Sequence, residues 1–65
     1  MKELDVVILT ENFENILAGT KGTVVCEYDR NAFEVEFFDN DGDTIDVVTI
    51  PANLLVLVEE YKILS

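Results

Sequence analysis

Apolar residues along the chain fall in short runs separated by residues that favour turns. Such spacing is the signature of short strands rather than of amphipathic helices. It predicts strands over Leu4 to Thr10, Thr23 to Tyr28, Phe33 to Phe38, Thr44 to Ile50 and Leu54 to Val58. Between the first two, Phe13, Ile16 and Leu17 have the spacing of one helical turn, but Gly19 and Gly22 stop it. Glu11 to Gly22 is therefore expected to be a long loop folded over the mouth of a barrel.

Turn chemistry then sets an expected register. Asp39-Asn40-Asp41-Gly42 fits a type I turn with Gly42 in the left-handed position, closing Asp39 against Asp43. Uninterrupted pairing from there sets Phe38 against Thr44, Phe37 against Ile45, Glu36 against Asp46, Val35 against Val47 and Glu34 against Val48. A two-residue loop at Arg30-Asn31, with Asn31 accepting positive φ, pairs Tyr28 with Phe33, Cys26 with Val35 and Val24 with Phe37. Glu27 then faces Glu34, and Val25 faces Glu36. The expected interior is Val24, Cys26, Tyr28, Phe33, Val35, Phe37, Ile45 and Val47.

A three-stranded meander of this kind leaves open edges. The first and last strands are expected to close it into an all-β, five-stranded SH3-like barrel. Val6 and Ile8 would point inward, with Val7 and Leu9 outward. Pro51 cannot donate to a ladder, so Ile50 to Asn53 is expected to form a short 3₁₀ turn before the last strand. Residues 1–65 read as one domain, with 59–65 as a C-terminal tail that packs back or adds a strand to a neighbour.

Composition narrows the function classes. The chain has 65 residues, fourteen acidic and four basic, for a net charge of −10, with no His and one Cys. A domain this small holds a stability of only about 3–5 kcal/mol. Its charge disfavours nucleic acid and anionic membrane surfaces, because both need basic side chains. Met1-Lys2-Glu3-Leu4-Asp5 is followed by too short an apolar run for a signal peptide. With a lone cysteine, a reduced cytoplasmic protein is expected.

Candidate chemistry is sparse. Without His, and with Cys26 placed inside a strand, no catalytic residue and no cofactor emerge, so an enzyme is not expected. Asp39, Asp41 and Asp43 copy the opening of a calcium loop, but Gly42 comes too early and Ile50 stands where a bidentate Glu belongs. The turn itself accounts for them. The strongest candidate is the outer face, where the expected register sets Glu27 across from Glu34 and Glu36 across from Asp46. Like charges directly opposed destabilise by about 0.2–1 kcal/mol a pair. Such a face, rimmed by Val25, Phe38 and Val48, fits a basic protein partner. Surplus apolar residues also leave a homodimer open.

Several blocks carry a family resemblance. Leu4-Asp5-Val6-Val7, Leu9-Thr10-Glu11, Gly19-Thr20-Lys21-Gly22-Thr23-Val24-Val25, Ala32-Phe33-Glu34-Val35-Glu36-Phe37 and Leu54-Leu55 together resemble the bacterial and cyanobacterial domain of unknown function 4926 family. That resemblance implies a small SH3-like barrel and a companion of neighbouring-gene proteins, of the antitoxin or immunity kind. It brings no catalytic residues. The chain departs from the family in carrying Asn31 where Gly is frequent and in lacking a proline across Asn12 to Ala18. The expected function is a non-catalytic acidic module that neutralises or assists a basic protein. The alternatives are an accessory subunit of a larger assembly, or a nucleic-acid-associated module similar to KOW domains, which the charge disfavours.

Overall fold

The computed structural model describes residues 1–62. Its elements follow in the order β1 (Val6–Leu9), β2 (Lys21–Asp29), β3 (Ala32–Phe38), β4 (Thr44–Pro51), a 3₁₀ turn (Ala52–Leu54) and β5 (Leu55–Glu59). All strands pair antiparallel in one sheet of order β4-β3-β2-β1-β5. This is the expected small SH3-like barrel: a meander, a long first loop and a 3₁₀ turn before the last strand. β4 and β5 are the two edges of the coiled sheet.

Both expected turns form, and both ladders then leave the expected register. The Asp39–Asp43 turn closes with Gly42 at φ +86°, and Phe38 pairs with Thr44. Ile45 then bulges out, so Phe37 meets Asp46, Glu36 meets Val47, Val35 meets Val48 and Phe33 meets Ile50. At the other hairpin Asp29 pairs with Ala32, while Tyr28 and Val25 each stand as an extra residue in β2. The result pairs Glu27 with Phe33, Cys26 with Glu34, Val24 with Val35 and Gly22 with Phe37. Asn31 is not left-handed; its N–H bonds to Asp29 Oδ1 at 2.7 Å, and that bond shapes the loop.

One inserted residue exchanges the faces of everything beyond it. Of the expected interior, Val24, Phe33, Val35 and Phe37 are buried. Cys26 is half-buried on the other face, Tyr28 is 67% exposed, and Ile45 and Val47 face solvent. Their places are taken by Ile50 and Leu55, and by Val7 and Leu9 in the reverse of the expected β1 orientation. Gly22 fixes that orientation. It pairs with both Val7 and Phe37, and a Cβ there would lie 2.6 Å from Val35 Cγ1 and 2.9 Å from the Phe37 ring. Only glycine lets β2 carry this much bulk on its inner side.

The first loop contains no helical turn. Phe13 and Ile16 exchange two backbone hydrogen bonds of 2.9 Å, which turns Ile16 into the core and lays Phe13 against it. At the N-terminus Leu4 adopts φ +71°, a conformation that costs a branched residue about 1–2 kcal/mol. It is held there because its N–H bonds to Val24 O at 2.8 Å and the next residue, Asp5, is buried. Asp5 accepts from the Lys2 N–H, Lys2 Nζ and the Tyr61 N–H, each at 2.9 Å, so one carboxylate ties both chain ends to the sheet. The expected tail therefore packs back as far as Tyr61; Ile63 and Leu64 lie outside the described residues.

Candidate functional site

The outward rungs of the sheet define the candidate surface. Val6, Thr23, Glu36 and Val47 form one row, and Cys26, Glu34 and Thr49 form the next. Glu34 and Glu36 alternate with inward Phe33, Val35 and Phe37, so two carboxylates emerge side by side on the strand flanked by β2 and β4. Both are half-buried among their neighbours. Glu36 accepts a hydrogen bond from Thr44 Oγ1, and Glu34 accepts one from the Cys26 thiol at 3.1 Å.

The expected opposition of like charges is absent. Glu27 lies across from Phe33 rather than Glu34, and Asp46 lies across from Phe37 rather than Glu36. Asp46 instead accepts the Val47 N–H through Oδ1 beside the bulge. Three bulges thus relieve the repulsion that an unbroken register imposes. The expected apolar rim also changes. Val25 is exposed at its bulge, Phe38 is half-buried, and Val48 turns inward to pack on the core, so it leaves the surface.

At the end of this face a groove of about 800 Å³ opens between the first loop and the β3–β4 turn. Ile8, Leu17, Phe38 and Ile45 supply apolar surface, with Lys21 and Asp39 at its sides. Sequence reasoning missed Ile8, Leu17 and Lys21 as a group. The available signal was the unbroken apolar run Val6 to Leu9, which leaves two side chains on each face whatever the register.

Cation chemistry does not gather here. Asp39 Oδ1 accepts the N–H groups of Asp41 and Asp43 at 2.9 and 3.0 Å, so that carboxylate is engaged in holding its own turn. Among the described residues no three His, Cys, Asp or Glu side chains are grouped to hold a metal ion. The Cys26 thiol is pushed up from its ordinary value by its hydrogen bond to Glu34, then by burial and by the charges of Glu34 and Glu3. That opposes thiolate formation. Only Lys2 makes ion pairs among the described residues, with Asp5 at 2.9 Å and Glu60 at 3.9 Å. The carboxylates of the outer face therefore stand without a cation of their own.

Fold and surface together define a small, acidic SH3-like barrel with a carboxylate-bearing open face. Residues 3–57 match the family model described as a domain of unknown function (DUF4926), and the chain belongs to that family. No curated protein and no solved structure matches it.

Proposed function

We propose that the protein is a non-catalytic interaction module that docks a basic protein on the outer face of β2, β3 and β4, and so neutralises or assists it. The observation that carries this reading is the arrangement around β3. Glu34 and Glu36 are half-buried and hydrogen-bonded in place, without cations, next to exposed Val47 and the apolar groove. Ordered carboxylates beside apolar surface suit recognition, because charge steers the encounter and apolar contact retains the partner. A merely solubilising surface needs no such order.

The test is affinity capture from native cells with three forms of the protein. Wild type is expected to retain a basic partner that leaves as salt rises. The Glu34→Lys/Glu36→Lys variant, still folded, is expected to lose it. Glu11→Lys/Glu14→Lys changes net charge equally on the first loop, away from the face, and is expected to keep it. Capture that survives reversal of the face, or fails equally in both variants, contradicts the proposal.

A further inference from the structure

A second surface stands apart from the acidic face. β5 is an edge strand with Val56, Leu57 and Val58 exposed by 53, 42 and 52%. The other edge, β4, carries features that discourage pairing: the Ile45 bulge, Asp46 and Pro51. β5 carries one charge, Glu59 at its end, and its own bulge, at Val58, lies beyond Leu57. From Val47 to Val58 no residue is charged, the longest such stretch in the sequence.

We infer that β5 pairs antiparallel with β5 of a second copy about a two-fold axis at Leu57. Charge selects both the place and the register. Two chains of net charge −10 repel over most of their surfaces, and β5 lies in the one long segment where they meet without opposing carboxylates. Pairing centred on Leu57 sets Val56 against Val58 of the second copy and Glu59 against Leu55, so no acid faces an acid. The backbone is ready for it. The Thr10 N–H bonds to Leu54 O, and the alternation of an antiparallel ladder then makes Ile8 and Val56 the next bonded pair. The N–H and C=O of Leu57 consequently point away from β1, toward the free edge. A two-fold contact of this kind is self-complementary. Built from one short strand per chain, it forms a weak, concentration-dependent dimer.

Two readouts on the full chain test this. Sedimentation from about 10 µM to about 1 mM is expected to show the mass rising from 7.3 kDa toward twice that value. Salt is expected to strengthen association by screening the mutual repulsion, opposite in sign to its effect on a basic partner. Over the same range, exchange of the Leu57 amide is expected to slow at least tenfold. Val56→Lys/Val58→Lys is expected to remain folded and monomeric throughout, and Val47→Lys to dimerise as wild type does. A single-chain mass at every concentration overturns the inference, as does a dimer that survives the β5 substitutions. Leu57 protection that is independent of concentration also overturns it, because the edge is then covered within one chain.

Discussion

Two side chains show how residue-scale chemistry sets what the surface can do. Asp5 is buried, which alone would push its carboxyl up. Its hydrogen bonds from Lys2 and from the Tyr61 N–H, with the Lys2 charge, outweigh burial and bring it from 3.8 to about 2. A carboxyl whose folded value is depressed stabilises the fold fully above 3.8 and loses that contribution as pH falls toward 2. Asp5→Asn is therefore expected to lower Tm at pH 7, with the gap from wild type closing between pH 4 and pH 2. A gap that stays constant over that range contradicts the assignment. Cys26 illustrates the reverse case, since its partner Glu34 disfavours the thiolate. Glu34→Gln is expected to speed alkylation of Cys26 by iodoacetamide at pH 8 several-fold. Equal rates in the two proteins would mean that Glu34 does not control the thiol.

At the scale of elements, the register decides which faces exist. The β3–β4 turn, the β2-β3-β4 meander it helps to build and the 3₁₀ connection were legible because Gly42, Asp39 and Pro51 each have a local conformational reason for their positions. The bulges were not, and the cause is visible in the apolar doublets. Val24-Val25, Phe37-Phe38 and Val47-Val48 each offer an apolar residue to both faces, so alternation cannot report where a strand gains a residue. The structure turns Val24, Phe37 and Val48 inward. Of the candidate site, Glu34 and Glu36 were legible because they alternate with three large apolar residues in an unbulged strand. Their supposed opposition to Glu27 and Asp46 was an artefact of continuous pairing. Substitutions separate the two registers. Ile50→Ala empties a fully buried position and is expected to cost about 2–5 kcal/mol in urea unfolding. Val47→Ala, at an exposed position, is expected to cost less than about 1 kcal/mol. The unbulged register requires the opposite order.

For the whole molecule, charge is the dominant fact. A net charge of −10 on so small a barrel, with ion pairs only at Lys2 among the described residues, leaves the folded state repelling itself. Raising the salt concentration screens that repulsion. From 20 to 300 mM sodium chloride the fold is expected to gain about 1 kcal/mol, which for a domain of this size raises Tm by about 4–8 °C. A falling Tm would show that attractive pairs outweigh repulsion. Under the proposed function, the same unpaired charge is expected to favour a basic partner, because such a partner relieves repulsion that an acidic or neutral one does not.

The most direct test is to record amide ¹H–¹⁵N spectra of the labelled protein while adding the basic protein that it is expected to retain in the capture experiment. The largest shifts are expected at Thr23, Cys26, Glu34, Glu36, Val47 and Thr49, fading toward β5. Changes confined to β5 or to the Phe13–Ile16 turn, with Glu34 and Glu36 unmoved, would contradict the outer face as the binding surface.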